Sequence, residues 1–426
     1  MSKTKRFKTL ISLICFFTAV FLVNCDQHYE NPYEDNRQER LDRLLATYDQ
    51  LFRDYLANAR QTMGKEILEY SPLSDETTIP KYMEITGSHY EYGTLVGRIA
   101  QQYGHQPRRV TTDRAALNNR IIEMYQQVYP PYLEIARGVG EVFDIPMAEL
   151  DFAYLEYDFF IDLWYSLFRY SHFRNLAGPG EADASLTSTH CSMLFARVGE
   201  DIFLGRNFDQ DLLKPHFVVY SKMGEGYRVM ANACYIPYHW IMDGVNEKGL
   251  FMGTANLSQP PEYYWNDPYP DEPAVCEHHL FRIALETCAT VDEVIELYRS
   301  IRPWSPNGTD HLMVADALGN SAVIEFNMDR EAVFFVRDEN KDYQLITNIA
   351  YQEGMDYMMQ HCNRFYRGTN LAEEGIAGFG DVEYLIREIG GRYGYTSFFD
   401  LKTRFMQLYS REDFFTPYDF DFPGTD

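Results

Sequence analysis

The sequence predicts an α+β fold in which helices and short strands are grouped into separate blocks. Two observations carry this prediction. Apolar residues recur at three- and four-residue spacing in the first part of the chain, and short apolar runs separated by Gly-containing turns follow Cys191. Because strands and helices do not alternate strictly, the order argues against a doubly wound parallel sheet. The 426 residues, 46% of them hydrophobic, are long enough to bury a sizeable core.

The part of the chain before residue 171 is predicted to be mainly helical. Helical spacing recurs in three blocks, which are Arg37 to Gln61, a block that ends near residue 105, and Thr112 to about Gly138. A short strand, PKYMEITG, precedes the second block. The aromatic stretch MAELDFAYLEYDFFIDLWYSLFRY, residues 147–170, is expected to be buried on more than one face.

The part of the chain from Cys191 onward is predicted to be rich in strands. The expected strands are CSMLFARVG, DIFLGRNF, HFVVYSKM, YRVMANACY, GLFMGTANL, HLMVADALG, NSAVIEFNM, AVFFVRD and YQLITNIA. Helical spacing returns at residues 278–301, where Thr290 is a candidate N-cap, and again around Asn363 to Ala372 and Asp381 to Ile389. An acidic, aromatic tail ends the chain.

The amino terminus has the pattern of a secretory signal peptide. A basic cluster, Lys3 to Lys8, is followed by the apolar run TLISLICFFTAVFLV, which is short for a membrane-spanning helix. Leu22-Val23-Asn24-Cys25 resembles a bacterial lipoprotein box, in which the Cys is acylated, although Asn24 departs from the usual small residue. We therefore expect residues 1–24 to be a signal peptide and Cys25 to carry a lipid that anchors the protein to the bacterial cell envelope, facing the periplasm or the exterior. An ordinary cleaved signal or a single membrane anchor is the alternative.

Charge and cysteine content exclude some functions. The net charge is −25, from 38 basic and 63 acidic residues, and no Lys/Arg stripe interrupts this balance, so nucleic acid is not an expected partner. No Cys or His cluster has the spacing of a zinc site, and the pair His278-His279 is typical of surface or packing positions. Without Cys15 and Cys25, five Cys remain, an odd number, so at least one thiol has no partner within the chain.

Cys191 is the first candidate for chemistry. It opens a strand directly after residues 172–190, HFRNLAGPGEADASLTSTH, whose small, polar and Gly/Pro residues are typical of an exposed or cleavable linker. The motif Gly205-Arg206-Asn207-Phe208-Asp209 follows the next strand, and a hairpin would bring Arg206 and Asp209 close to Cys191. A cation there lowers the pKa of a thiol.

Five pieces that follow one another along the chain carry a family resemblance: HCSMLFA with LGRNFD, MDGVNEKGLFMGTANL, HLMVADALGNSAVIEF, LITNIAYQ and HCNRFYRG. They resemble the choloylglycine hydrolase and penicillin acyltransferase superfamily of N-terminal nucleophile (Ntn) amidases. Upstream, ITGSHYEYGTLVG and YLEIARGVGEVFDIPMAEL resemble the acyltransferase branch, so the resemblance covers roughly residues 80–371. It implies a four-layer αββα sandwich with a mainly helical N-terminal segment, and no cofactor.

The resemblance also implies the site and the reaction. Cys191 would be the nucleophile, freed by self-cleavage between His190 and Cys191, and its α-amino group would serve as the base. Arg206 and Asp209 would lie beside it. Asn256, and after it Asn348, would donate hydrogen bonds to the oxyanion. Arg364, with Arg367 as a competitor, would match the Arg that the family carries late in its sequence. The chain would then divide into residues 1–24, a segment 25–190 and a catalytic block 191–426.

The implied function is hydrolysis of linear amide C–N bonds in N-acyl amides with an apolar acyl group, and the partner is thus a small-molecule amide. Two alternatives remain open at this point: acyl transfer on the same scaffold, and an envelope ligand-binding lipoprotein without catalysis. A papain-like Cys/His hydrolase is a further option, for which His311 is the only suitable downstream His.

Overall fold

The structure, a computed structural model, describes most of the chain from residue 68 onward. The described residues are 68–71, 81–102, 105–155, 159, 191–209, 216–234, 240–257, 272–304, 310–327, 329, 331–390, 394–410 and 413–422. The predicted signal peptide, Cys25, the helical block Arg37 to Gln61, the linker 172–190 and His190 lie outside them. All described residues fall within one unit of the fold.

Helices and strands have the following bounds. The helices are α1 (His89–Gln102), α2 (Ala115–Val128), α3 (Pro131–Val142), α4 (Glu277–Thr287), α5 (Val291–Ser300), α6 (Met355–His361), α7 (Asn363–Glu373) and α8 (Phe379–Ile389). The strands are β1 (Leu68–Ser71), β2 (Lys81–Gly87), β3 (Ser192–Val198), β4 (Asp201–Phe208), β5 (His216–Met223), β6 (Val229–Cys234), β7 (Trp240–Asn246), β8 (Phe251–Asn256), β9 (Val275–Cys276), β10 (Pro303–Trp304), β11 (Asp310–Ala315), β12 (Ser321–Phe326), β13 (Ala332–Val336), β14 (Tyr343–Ile346), β15 (Tyr395–Asp400), β16 (Phe405–Ser410) and β17 (Asp413–Phe420).

Two large sheets form the centre of the molecule. The first has the strand order β1-β2-β5-β6-β7-β8-β11-β12-β13, with antiparallel neighbours except for the parallel pair β2 and β5. The second has the order β14-β3-β4-β15-β16-β17 and is antiparallel throughout. β9 and β10 form a short separate pair.

The sheets face each other, and helices cover their outer faces. Phe251 of the first sheet contacts Phe399 of the second, with ring centroids 4.9 Å apart. Helices α4 and α5 pack on the first sheet, and α7 and α8 pack on β14, β3 and β4 of the second. These layers confirm the predicted α+β, four-layer αββα sandwich.

The segment before Cys191 is built into the same architecture. β2 pairs in parallel with β5, so residues on both sides of the predicted cleavage point share one sheet. The N-terminal helices pack on one another: a side chain at Gly93 would meet the carbonyl oxygen of Ile135, which shows how closely α1 and α3 approach. The described part of this segment is therefore mainly helical, as predicted. It also contains the predicted strand PKYMEITG, which is β2, and one strand that was not predicted, β1.

Three expectations for the elements need correction. The predicted helical block from Thr112 to about Gly138 is two helices, because Pro130 and Pro131 interrupt it and Pro131 opens α3. The acidic, aromatic tail contains β15, β16 and β17, whose Tyr and Phe side chains favour a sheet once neighbouring strands are present. Helix α6 and strand β7 were not predicted at all. Thr290, by contrast, is confirmed as an N-cap, since its hydroxyl accepts a hydrogen bond from the Glu293 N–H at 3.3 Å.

Candidate active site

Cys191 lies directly before β3, a strand in the interior of the second sheet, and is 1% exposed. The turn at Gly199 returns the chain as β4, so that Ser192 lies opposite Asn207. On the other side β14 runs antiparallel to β3 and pairs Ile346 with Met193. The residues after β4 and after β14 therefore both come to the end of β3 that carries Cys191.

The thiol of Cys191 is held in its neutral form by its surroundings. Burial raises its pKa, and the interaction with the carboxylate of Asp209 adds to this. The charges of Arg206 and Arg364 and a hydrogen bond from the main-chain N–H of Asp209 act in the opposite direction, but burial outweighs them. Arg206 thus lowers the pKa as expected, yet the net shift is upward, and a nucleophilic thiolate requires a base.

Arg206 is fully buried and joins the two sheets. Its Nη1 pairs with Asp243 of β7 and also donates to the hydroxyl of Tyr395, at 2.7 Å, while its Nη2 donates to the carbonyl of Thr254, at 2.7 Å. The pairing of β7 with β8 stops at Asp243 opposite Gly253. Thr254 thus lies just beyond the residues of β8 that pair with β7, and its carbonyl oxygen accepts from Arg206.

Arg364 and Asn348 connect the nucleophile to the first sheet. Arg364, in the first turn of α7, donates from Nη1 to the carbonyl oxygen of Cys191 and from Nη2 to Oδ1 of Asn348, both at 2.7 Å. The Nδ2 of Asn348 donates to the carbonyl oxygen of Asn256 at 2.6 Å. Arg367, the competitor, lies one turn further on and pairs with Glu388 at the surface.

The two Asn residues are placed differently. Asn348 is 2% exposed, whereas the side chain of Asn256, at the end of β8, is exposed and only its carbonyl contacts Asn348. The two residues expected as oxyanion donors thus differ in burial: the side-chain amide of Asn348 is buried and held by Asn256 and Arg364, whereas that of Asn256 is exposed. Asp209, 4% exposed, directly follows β4 and interacts with both Cys191 and Arg364.

Two buried residues at this site were missed from the sequence. Asp243 accepts from Arg206, from Asn232 Nδ2 at 2.6 Å, and from the hydroxyls of Tyr395 and Ser397. Asp243 could have been identified from the sequence, because a buried Arg needs a carboxylate partner and Asp243 stands in the piece MDGVNEKGL. Tyr395 gave no such signal, because the tail was not predicted to form strands.

The other features considered from the sequence are three histidines, the remaining cysteines, a metal site and a membrane-spanning helix. His311 does not act on Cys191, since Thr347 and Glu325 occupy its two ring nitrogens. His278 and His279 are packing residues, and burial lowers the pKa of His278 to about 4. Cys191, Cys288 and Cys362 are free thiols. Within the described ranges no three potential ligands are gathered as a metal site requires, and no helix there is long and apolar enough to cross a membrane.

A known protein family matches part of the chain. Residues 197–365, less than half of the chain, match the family model described as acyl-coenzyme A:6-aminopenicillanic acid acyl-transferase. The match begins just after Cys191 and includes Arg206, Asp209, Asn256, Asn348 and Arg364. No curated protein sequence matches the chain.

Three solved structures are similar in fold. They are penicillin V acylase from Agrobacterium tumefaciens (18% identity, 54% of this chain and 84% of that one, TM-score 0.40), a variant of conjugated bile acid hydrolase from Clostridium perfringens (16%, 54% and 92%, 0.45), and the Caenorhabditis elegans ortholog of N-acylethanolamine-hydrolyzing acid amidase (15%, 50% and 93%, 0.39). At these identities the likeness concerns the fold. Over residues 197–365, the family model confirms the resemblance to penicillin acyltransferases that the sequence predicts.

Proposed function

We propose that this protein is a cysteine Ntn amidase that hydrolyses linear amide C–N bonds, with Cys191 as nucleophile. The observation that carries the proposal is the convergence of Arg206, Asp209 and Arg364 on one buried thiol at the start of a strand, with Asn348 bound by Arg364. These residues come from β4, from the turn after β14 and from α7, and a merely structural cysteine would not need them.

The state of the thiol supports a need for self-cleavage. Because burial raises its pKa, Cys191 keeps its proton near neutral pH and needs a nearby base. In the uncut chain the nitrogen of Cys191 is an amide and cannot accept a proton. Cleavage between His190 and Cys191 would free an α-amino group with a pKa of roughly 7.7 to 8.0, which can take the thiol's proton and return it to the leaving amine.

The reaction then follows from the positions of the side chains. The sulfur of Cys191 attacks the amide carbonyl, and N–H groups of the side-chain amides of Asn348 and Asn256 stabilise the oxyanion. Arg364 keeps Asn348 in place through Oδ1 and holds the carbonyl of Cys191. Asp209 holds the α-ammonium that forms when the amine has taken the thiol's proton. The thioester between Cys191 and the acyl group is finally hydrolysed by water.

The sheet pairing supports a two-fragment enzyme. β2 lies in the proposed 25–190 fragment and β5 in the proposed 191–426 fragment, and they share a seven-residue parallel register. A cut at His190 would therefore leave two chains held in one fold. We further propose that Cys25 anchors the mature protein to the bacterial cell envelope and that residues 1–24 are removed.

For the substrate we propose N-acyl amides with an apolar acyl group. The high aromatic content, with 33 Tyr and 29 Phe, suits a pocket for such a group. The second candidate is acyl transfer, which the description of the matched family model favours. The two differ only in whether water or an amine takes the acyl group from Cys191.

The experiment combines cleavage with activity. Purified protein is run on a denaturing gel, each band is sequenced from its amino terminus, and hydrolysis of a panel of N-acyl amides is measured with and without an added amine. We expect two bands, one beginning at Cys191, and Cys191→Ala should remain a single band without activity.

The matched control is Cys288→Ala, since Cys288 is also a buried free thiol but lies between α4 and α5. It should cleave and act like the wild type. A single wild-type band together with undiminished activity of Cys191→Ala would refute the proposal. Acyl-amine product in place of free acid would identify a transferase.

A further inference from the structure

A buried histidine–carboxylate pair lies beside the turn that carries Asn348. His311 of β11 and Glu325 of β12 are both 0% exposed, and Nδ1 of His311 lies 3.1 Å from Oε1 of Glu325. The other ring nitrogen, Nε2, lies 2.5 Å from the carbonyl oxygen of Thr347, the residue before Asn348.

The atoms around the ring determine its protonation. A carbonyl oxygen can only accept, so Nε2 carries a proton. Glu325 also accepts from the main-chain N–H groups of Tyr351, at 2.6 Å, and Gln352, at 3.1 Å, which are contacts of an ionised carboxylate. Burial raises the pKa of Glu325, but these contacts and His311 bring it below its usual value. Nδ1 therefore also faces an acceptor, and the ring needs both protons.

The pair holds both ends of a short segment. Thr347 is bound through its carbonyl by His311 and through its hydroxyl by the thiol of Cys362, at 3.4 Å, while Glu325 binds the main chain at Tyr351 and Gln352. Asn348 lies inside this segment. Its amide group is thus fixed by the backbone on either side, in addition to its own contacts with Asn256 and Arg364.

We infer that His311, as an imidazolium paired with Glu325, is a positioning residue that holds the Thr347–Gln352 turn so that the amide of Asn348 can stabilise the oxyanion. This inference rests on the proposed amidase function. Loss of one proton from His311 would place a nitrogen lone pair against an oxygen, and the turn would move. An Asn348 displaced by about 1 Å would stabilise the transition state much less than the bound substrate.

Charged groups surround the pair. Asp310 on the same strand interacts with His311 and with Arg206, and burial raises the pKa of Asp310 to about 6. From the turn after β14, the hydroxyl of Tyr351 faces Glu325 and donates to the carbonyl oxygen of Leu345. Arg364 of α7 donates to Asn348. Two carboxylates, those of Glu325 and Asp310, thus interact with the ring of His311.

The test is His311→Gln in the full-length protein. Gln can still donate to Thr347 but carries no charge. We expect kcat to fall about 10- to 100-fold with KM changed less than about 2-fold. The matched control is His89→Gln, because His89 and Glu286 form another buried His–Glu pair, between α1 and α4, with Nε2 and Oε2 3.0 Å apart. That variant should lose stability but keep kcat.

A second measurement does not depend on activity. In protein labelled with 15N-histidine, the signal that His311→Gln removes should show two protonated ring nitrogens at neutral pH. A neutral ring at pH 7, or a His311→Gln enzyme with the kcat of the wild type, would overturn the inference while leaving the amidase function intact. Absence of amidase activity in the wild type, with an imidazolium observed, would instead refute the proposed function.

Discussion

The interior between the two sheets has a polar end and an apolar end. At the start of β15, Tyr395 joins Arg206 and Asp243 in a fully buried network. Near the other end of the same strand, Phe399 packs on Phe251, and Leu204 lies opposite it on β4. One strand thus contributes to both ends of the sandwich.

The polar and the apolar end contribute differently to the function and to the stability of the fold. A buried ion pair loses most of its attraction to the desolvation of the two charges, so the Arg206–Asp243 pair adds little net stability. Buried aromatic side chains contribute about 1.5 to 3 kcal/mol each. The polar end therefore serves to position Cys191 and its neighbours, whereas the apolar end holds the two sheets together.

The largest expected effect is that of Arg206→Met. It removes the cation beside Cys191 and leaves Asp243 buried without its partner, so we expect kcat to fall by about 100-fold or more and the free energy of unfolding to fall by about 3 to 5 kcal/mol. Steady-state kinetics and urea unfolding measure the two effects.

The double variant Arg206→Met/Asp243→Asn separates them. Removal of the unpaired charge should restore part of the stability but none of the activity. Recovery of kcat along with stability would show that the network of Arg206, Asp243 and Tyr395 only stabilises the fold. The polar and the apolar end would then not differ in function.

A smaller effect is expected from Arg364→Ala. This residue holds Cys191 and Asn348 at 2.7 Å each, so its loss should lower kcat about 10- to 100-fold. Arg364→Lys should recover only part of the activity, because an ammonium cannot make the two parallel contacts of a guanidinium.

Arg367→Ala is the matched control on the same helix. Arg367 pairs with Glu388 at the surface, so its loss should change kcat less than about 2-fold and stability by less than about 1 kcal/mol. Equal losses in both variants would mean that α7 acts through its overall stability rather than through Arg364.

Only part of the site could be predicted from local rules, namely the approach of Arg206 and Asp209 to Cys191. The positions of Asn256, Asn348 and Arg364 followed from the family resemblance alone. The hairpin of β3 and β4 needs only two apolar runs and a Gly turn, and it brings Arg206 to Cys191. Asp243 and Tyr395 could not be found in this way, since their contacts with Arg206 join strands that are far apart in the chain and lie in two sheets. Likewise, no sequence pattern shows that the side chain of Asn256 is exposed while its carbonyl meets Asn348.

The smallest effect on activity is expected at the apolar end. Phe399→Leu removes the ring contact with Phe251 but keeps an apolar side chain, so the free energy of unfolding should fall by about 1 to 2 kcal/mol. Because neither ring touches the network around Arg206 in the described contacts, kcat should stay within about 2-fold of the wild type. A loss of kcat as large as that of Arg364→Ala, at a temperature where the variant is fully folded, would show that the aromatic end sets the spacing of the sheets at Cys191. The division between a cohesive end and a catalytic end would then be wrong, and the two ends would have to be treated as one rigid unit.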